Sequence, residues 1–272
     1  MPKLKVGIVG CGAIGSTLAK AVVRDFSKQA RLSALYDLDG LKSRKLAKIL
    51  RSKTLATANL RGLIRKSDLV IEAASARASF DIAKSTLVLK KNVMIMSVGG
   101  IAKGFDILYK LAVNNNCKVY IPSGAISGID ALKAAGIGRI KKVTLTTTKG
   151  PLAFRGVKYV ERKRINLSKI TKDVVLFSGK AKDAVKYFPQ NINVAAVLSL
   201  AGVGINKTHV EVIASPKVVK NIHEIMIESV AANISTRTEN ILHPDNPKTS
   251  YLAVLSAIAT LKGILEPIKI GT

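Results

Sequence analysis

The stretch L-K-V-G-I-V-G-C-G-A-I-G at residues 4–15 decides the fold of the first half of this chain. Its opening run, Leu4–Val9, is apolar and β-branched, which predicts a buried strand. The glycines that follow, Gly10, Gly12 and Gly15, have the spacing G-x-G-x-x-G, and an apolar helical pattern continues beyond them. This strand–turn–helix order around the glycines is the fingerprint of a dinucleotide-binding unit.

Each glycine of the fingerprint has its own physical role. Gly10 permits a tight turn, Gly12 lets the backbone approach a pyrophosphate, and Gly15 lets the helix pack closely on the strand. The helix N-terminus then offers free N–H groups and the positive end of its dipole to phosphate oxygens. We therefore expect the cofactor to contact the whole turn, which consists of Gly10, Cys11, Gly12, Ala13, Ile14 and Gly15.

An acid ends the second predicted strand, Leu32–Tyr36, about 20 residues past the last glycine, as the fingerprint requires. A carboxylate at Asp37 can accept hydrogen bonds from both ribose hydroxyls of NAD, and it repels a 2′-phosphate. Lys42, Arg44 and Lys45 follow closely in the sequence and can neutralise such a phosphate. The sequence thus favours NAD and leaves NADP open as the cofactor.

Strand and helix patterns alternate beyond the fingerprint. Leu69–Ala74 and Val93–Val98 are continuously apolar strands, each followed by a helical pattern. Repeated βα units of this kind predict an α/β fold with a doubly wound parallel sheet of the Rossmann type. Ligands of such sheets lie at the carboxyl ends of the strands, so we expect Ala74, Ser75 and Ser97 to contact the cofactor.

The alternation stops at about residue 122. A short helix at Ile129–Ala135 and an alternating strand at Lys142–Thr148 predict a second domain of mixed α+β type. A last helix at about residues 248–264 is expected to return and pack on the first domain. The expected boundaries are residues 1–122 plus 245–272 for the dinucleotide-binding domain and residues 123–244 for the second domain.

Within the second domain, Ser215-Pro216 predicts the start of a helix, with Ser as N-cap and Pro at the first helical position. A basic, hairpin-like region extends to about Lys172. The chain has 44 Lys and Arg against 17 Asp and Glu, and a formal net charge of +27. Because the bases are scattered, we expect a solvated basic face and no nucleic-acid partner. The densest basic cluster is Arg155, Lys158, Arg162, Lys163 and Arg164.

Composition also limits the class of protein. The two cysteines, Cys11 and Cys117, fit no metal-ligand spacing, so no metal is expected, and a bare pair of thiols favours a reducing cytoplasm. No N-terminal signal is visible, and no apolar run reaches the ~18 residues that a membrane span needs. Lysine richness with few glutamines favours a heat-adapted source.

Few residues offer acid/base chemistry. Of the three histidines, His223 lies on the helix predicted after Pro216, and its ordinary pKa of about 6.5 suits proton exchange near neutrality. Asn193 opens an apolar helix, where it either caps the helix or offers its amide to a ligand. Lys149 is a natural cation for an anionic substrate. The start of the last helix, with Asn246, Thr249 and Ser250, is a second expected site for carboxylates.

The motifs taken together resemble one family, the archaeal and bacterial L-aspartate dehydrogenases, over nearly the whole chain. The stretches that carry the resemblance are G-C-G-A-I-G (10–15), V-I-E-A-A-S (70–75), S-V-G (97–99), I-P-S-G-A-I-S-G-I-D-A-L (121–132), F-P-Q-N-I-N-V-A-A (188–196), N-I-H-E-I (221–225) and N-P-K-T-S (246–250).

The resemblance implies oxidative deamination of L-aspartate with NAD or NADP, to iminoaspartate or to oxaloacetate and ammonium, with a link to pyridine nucleotide biosynthesis. It places the active-site histidine on His223 and the cofactor-contacting alanine and asparagine on Ala125 and Asn193. It implies a homodimer that pairs through the second domain, which also binds the substrate. The segment Thr146–Pro151 follows the family pattern only loosely, which weakens Lys149 as a substrate contact.

Two other functions stay open from the residues alone. One is another oxidoreductase of this architecture, of the dihydrodipicolinate-reductase or sugar-dehydrogenase kind. The His-His and Gly-Thr motifs of the former and the Glu-Lys-Pro motif of the latter are not visible in the sequence. The other is a non-enzymatic NAD-binding regulator that uses its charge to hold nucleic acid, and it predicts binding that depends strongly on salt.

Overall fold

The computed structural model of the chain describes residues 2–188, 192–244 and 246–271. It divides into two compact units, which are Met1–Pro122 with Val254–Lys269 (unit 1) and Ser123–Ala253 with Ile270–Thr272 (unit 2). The chain returns to unit 1 at Val254, later than the expected residue 245. The reason is that a two-stranded hairpin, Leu242–His243 with Asn246–Ser250, belongs to unit 2.

Unit 1 is a parallel sheet with helices. Its elements in chain order are β1 (Leu4–Val9), α1 (Ala13–Arg24), β2 (Ala30–Tyr36), α2 (Gly40–Ile49), α3 (Leu60–Arg65), β3 (Leu69–Glu72), α4 (Ala76–Val88), β4 (Asn92–Ile95), α5 (Phe105–Asn114) and β5 (Val119–Tyr120). The strand order is β2-β1-β3-β4-β5, and every pair is parallel. The predicted Rossmann-type sheet is thereby confirmed.

The core of unit 1 is aliphatic. Val6 and Ile8 of β1 are fully buried against Leu18 of α1. The final helix, α10 (Tyr251–Leu265), contributes Ala257 and Leu261 to the same cluster. The expectation that the last helix packs on the first domain is therefore confirmed, although the helix starts a few residues later than predicted.

Unit 2 contains a mixed sheet. Its elements in chain order are α6 (Ile129–Ile137), β6 (Ile140–Lys149), α7 (Lys158–Arg162), β7 (Val174–Lys180), α8 (Ala181–Tyr187), α9 (Ile192–Ala201), β8 (His209–Ala214), β9 (Asn221–Ser229), β10 (Asn233–Asn240), β11 (Leu242–His243) and β12 (Asn246–Ser250). The order in the main sheet is β10-β9-β6-β8-β7, and β6 pairs parallel with β8 and antiparallel with β9. The mixed α+β class is confirmed.

The helix predicted after Pro216 is wrong. Residues 216–220 form a turn, and residues 221–229 form β9, which pairs with β6 on one side and β10 on the other. The apolar positions fit a helical stripe, but they also fit a strand in which Ile225 and Ile227 point inward and Met226 is exposed. Pairing on both edges decides for the strand, because it satisfies the backbone groups of β9.

The basic segment is not a hairpin. It contains the short helix α7 and flanking single turns, because Phe154, Val157 and Val160 recur at a spacing of three and are all buried. Its cationic side chains are exposed. Tyr159 of α7 joins this segment to β7 and α8 through aromatic contacts, with its ring centroid 5.9 Å from that of Phe177 and 4.7 Å from that of Tyr187.

None of the helices in the described part of the chain is long and apolar enough to cross a membrane.

Replacing Tyr159 with Ala should loosen the basic segment, because the aromatic contacts to Phe177 and Tyr187 are lost. We expect the free energy of unfolding to fall by roughly 2 kcal/mol and trypsin to cleave faster after the exposed Arg and Lys of residues 155–164. Denaturant titration and limited proteolysis measure both effects. Tyr109→Ala is the control, since Tyr109 is 62% exposed; equal effects in both variants would contradict the anchoring role.

Candidate functional site

The glycine turn of unit 1 is shaped as the fingerprint requires. Gly10 has φ +94°, and a Cβ at this position would lie 2.4 Å from the carbonyl oxygen of Ala73. A Cβ on Gly15 would lie 1.8 Å from the carbonyl oxygen of Gly10. At Gly12, by contrast, a Cβ would meet nothing within 4 Å. The turn is thus closed towards the sheet and open in front of α1.

The open side of the turn suits an anion. The first turn of α1 contains no acidic residue, so the N–H groups and the positive dipole end are not neutralised by a side chain. In a dinucleotide fold the pyrophosphate occupies the open space in front of this glycine, next to such N–H groups. The residues present therefore fit the diphosphate of NAD or NADP.

Asp37 is fixed beside the glycine turn. Its Oδ2 accepts a hydrogen bond of 2.7 Å from the Cys11 N–H, and its Oδ1 accepts one of 2.9 Å from the Asp39 N–H. The predicted ribose-binding acid and the predicted phosphate turn therefore lie together. Cys11 is buried between them, and burial, followed by the Asp37 charge, raises the pKa of its thiol to about 12.

The ends of β3 and β4 are joined by a buried acid. Glu72 is the last residue of β3 and is fully buried. Its Oε1 accepts a hydrogen bond from the Ala74 N–H and its Oε2 accepts one from the Ser97 N–H, both 2.9 Å long. The sequence predicts Ala74, Ser75 and Ser97 as cofactor contacts. The Glu72 side chain fixes the backbone of Ala74 and Ser97 at the carboxyl edge of the sheet, and Ser75 directly follows Ala74.

In unit 2 the segment Ser123–Gly128 lies along β10. The carbonyl oxygen of Ala125 accepts a hydrogen bond of 3.1 Å from Nδ2 of Asn240, and the hydroxyls of Ser127 and Thr238 are 3.0 Å apart. Ala125, the cofactor contact that the family resemblance implies, therefore has its backbone fixed by a buried amide.

His223 is on β9, in the sheet of unit 2, and its side chain is buried. Its Nδ1 is 3.0 Å from the Thr147 hydroxyl on the neighbouring strand β6. Burial, followed by the positive charge of Lys149, lowers the pKa of His223 to about 3. The prediction of an ordinary pKa for His223 is therefore wrong. In this structure the His223 imidazole is neutral at pH 7.

Lys149 is the last residue of β6 and is near enough to His223 to influence its charge. Burial lowers the pKa of Lys149 to about 8. Within the described residues Lys149 forms no ion pair, although its side chain is largely removed from water. A half-buried cation without a carboxylate partner is suited to bind a carboxylate ligand.

The remaining predicted residues lie on two other elements of unit 2, which are α9 and β12. Asn193 lies in the first turn of α9 with its side chain exposed. Thr249 and Ser250 end β12, directly before α10, and the side chain of Asn246 is outside the described part of the chain. No group of His, Cys, Asp and Glu that fits a metal ion occurs among the described residues.

Sequence reasoning missed Glu72, Asn240 and Thr147. Glu72 gave a signal, because an acid inside the apolar run L-V-I-E-A-A must find buried hydrogen-bond donors. Thr147 and Asn240 gave none, since their roles depend on which strands become neighbours of β9 and of the Ser123–Gly128 segment.

Comparison with known proteins matches both halves of the chain. A family model described as "Aspartate dehydrogenase, C-terminal" matches residues 130–264, and one described as "Homoserine dehydrogenase, NAD binding domain" matches residues 10–122. The chain is 45% identical over 271 residues to the L-aspartate dehydrogenase of Methanosarcina barkeri and 47% identical over 271 residues to that of Methanosarcina acetivorans. Each alignment covers 99% of this chain and 100% of the relative.

Solved structures give the same result. The crystal structure of aspartate dehydrogenase from Thermotoga maritima superposes with a TM-score of 0.74 at 25% identity, and the match covers 99% of this chain and 100% of that one. A homoserine dehydrogenase from Thiobacillus denitrificans superposes with a TM-score of 0.65 at 14% identity, which shows a shared fold only.

The contrast between Gly12 and Gly15 predicts two different defects. Gly12→Ala should leave the free energy of unfolding within about 0.5 kcal/mol of the wild type, because the space is open and φ is −74°. It should weaken NAD binding at least about tenfold, because the methyl group takes the place of phosphate. Gly15→Ala should instead destabilise unit 1 by roughly 2 kcal/mol or more. Thermal unfolding and NADH titration separate the two; the same defect in both variants would contradict this division of roles.

Proposed function

The chain belongs to the L-aspartate dehydrogenase family, and we propose that it catalyses the NAD(P)-dependent oxidative deamination of L-aspartate. The observation that carries the proposal is the end-to-end match to curated L-aspartate dehydrogenases, with no part of those relatives left uncovered. Unit 1 serves as the dinucleotide-binding domain, and unit 2 serves as the substrate-binding domain.

The cofactor supplies the hydride chemistry, since an oxidised nicotinamide accepts a hydride from the substrate Cα. In unit 1, the glycine turn and the start of α1 bind the diphosphate, and Asp37 accepts hydrogen bonds from a ribose. Ala125 and Asn193 of unit 2 are further cofactor contacts in this proposal, and Asn240 fixes the backbone of Ala125.

Unit 2 supplies the substrate chemistry. Lys149, together with the segment Asn246–Ser250, binds the carboxylates of aspartate and so orients its Cα–H and amine. Burial is the main cause of the lowered pKa of His223 and the Lys149 charge is the second, so a carboxylate beside Lys149 offsets only the second. With Nδ1–H donating to the Thr147 oxygen, Nε2 of His223 is free to accept a proton from the substrate ammonium or from the water that attacks the imine. Substrate binding thus makes the base more effective.

The biological setting is proposed from the family resemblance. The protein acts as a homodimer through unit 2 and delivers iminoaspartate to pyridine nucleotide biosynthesis, as the family resemblance implies. Cys11 and Cys117 are free thiols, which accords with a reducing cytoplasm.

The direct test is the absorbance of reduced nicotinamide, followed with purified protein, NAD or NADP, and a panel of L-amino acids. Activity confined to L-aspartate establishes the reaction and ranks the cofactors. Inactivity with aspartate, and in reverse with oxaloacetate and ammonium, refutes the proposal.

Replacing His223 with Ala should lower turnover at least about 100-fold, because no other neutral base is proposed for the substrate amine. NADH affinity should stay near the wild-type value, since the cofactor diphosphate and ribose are bound by unit 1. The matched control is His209→Ala, which removes a partly exposed histidine of β8 that pairs with Glu211. Steady-state kinetics and NADH titration are the measurements; unchanged turnover in His223→Ala removes His223 from the reaction.

The pH dependence of dicarboxylate binding tests Lys149. Its pKa is lowered to about 8, so the ammonium form predominates below pH 8 and is lost as pH rises above it. The inhibition constant of succinate, which has no amine of its own, should therefore be flat below pH 8 and rise about tenfold per pH unit above it.

Lys149→Met should raise the inhibition constant at neutral pH and abolish its pH dependence. Lys142→Met is the matched control, because Lys142 is an exposed lysine on the same strand. A flat profile in the wild type from pH 7 to about pH 10 would contradict carboxylate binding by the Lys149 ammonium.

A further inference from the structure

The strand order of unit 1 fixes where each half of the cofactor lies. Asp37 follows β2, the glycine turn follows β1, and β3 and β4 continue the sheet on the far side of β1. With the ribose of the adenosine half at Asp37 and the diphosphate at the glycine turn, the nicotinamide half must extend over the ends of β3 and β4. Glu72 and Ser97 are the residues at those ends.

The hydrogen bonds of Glu72 fit the ionised carboxylate. Each carboxylate oxygen accepts a backbone N–H, from Ala74 on one side and Ser97 on the other. Burial raises the pKa of Glu72, and the hydrogen bonds from the Ser97 and Ala74 N–H groups and from the Ser97 hydroxyl lower it by a smaller amount. Two of these three neighbouring groups are backbone N–H donors, which fit an ionised oxygen, while the Ser97 hydroxyl can donate to a carboxylate or accept from a carboxyl.

The charge of Glu72 has no cationic side chain as partner. Among the described residues no ion pair involves Glu72, although the chain carries a net charge of +27. Its side chain is fully buried, so water does not screen it effectively. An ionised Glu72 therefore presents an unscreened negative charge to a group that binds at the strand ends, and a cationic group there favours the ionised form.

We propose that Glu72 is a positioning residue that holds the turns after β3 and β4 beneath the nicotinamide and that its carboxylate favours the oxidised, cationic ring over the reduced, neutral one. This role rests on the proposed use of NAD(P). The consequence for the reaction is that the cofactor binds more readily in the form needed for deamination and leaves more readily once reduced.

The test is the ratio of the dissociation constants of NADH and NAD+, measured without aspartate by NADH fluorescence and by competition with it. We expect Glu72→Gln to lower this ratio at least about fivefold, because NAD+ loses an attraction that NADH does not have. Loss of a purely structural contact would weaken both forms alike. A ratio within about twofold of the wild type would therefore overturn the electrostatic role.

Asp68→Asn is the matched control. Asp68 directly precedes β3 at its amino end, about 13 Å from Glu72 along the strand, where it accepts the Lys5 N–H and pairs with Lys91. The Asp68→Asn variant removes one negative charge, as Glu72→Gln does, but at the opposite edge of the sheet. The ratio of the NADH and NAD+ dissociation constants should therefore stay at its wild-type value. An equal change in Asp68→Asn would show a general effect of net charge and overturn the assignment to Glu72.

A second measurement keeps the proposal testable if Glu72→Gln does not fold. Benzamide adenine dinucleotide has a carbon atom in place of the ring nitrogen, so its ring is aromatic like that of NAD+ but uncharged. The wild type should bind NAD+ at least about fivefold more tightly than this analogue. Equal or weaker binding of NAD+ would overturn the proposal. If the protein binds NAD+ and NADH but oxidises no aspartate, only the proposed substrate is refuted. If it binds neither form, both the proposed function and the role of Glu72 are refuted.

Discussion

The close approach of α1 to the end of β1 is the constraint on which the cofactor-binding half of the structure depends. A side chain on Gly15 would collide with the carbonyl oxygen of Gly10, so only glycine lets the helix start directly at the turn. The helix start then faces the strand ends, and Asp37 and Glu72 sit on either side of it in the strand order. The helix start and the ends of β2 and β3 therefore lie together at the edge of the sheet where folds of this type bind their ligands.

Unit 2 meets a different constraint, because it keeps a histidine and a lysine out of water in a chain that is strongly basic. Burial lowers the pKa of both groups, so that His223 is neutral at pH 7 while Lys149 keeps its ammonium charge only below about pH 8. An anion bound beside Lys149 would offset the ammonium charge, which is the smaller of the two causes that lower the pKa of His223. In the proposed function, substrate recognition and proton transfer therefore depend on the same pair of side chains.

The fold of unit 1 and the family could be predicted from the sequence, because glycine spacing and continuously apolar strands are local signals. It failed where long-range pairing overrides local pattern. The stripe through Ile222, Ile225 and Met226 suits a helix or a strand, and only the flanking β6 and β10 decide between them. The lowered pKa of His223 was equally invisible, since it follows from burial in a central strand. Glu72 alone could have been found, as a lone acid in an apolar run.

The buried thiol in the phosphate turn has a consequence for reactivity. A cysteine next to a helix N-terminus is ordinarily a target for alkylating agents and oxidants, because the dipole stabilises the thiolate. At Cys11, burial and the neighbouring Asp37 charge outweigh that effect and keep the sulfur protonated far above neutral pH. Because the thiolate is the reactive form of cysteine, we expect Cys11 to react more slowly with thiol-directed reagents than an exposed cysteine does.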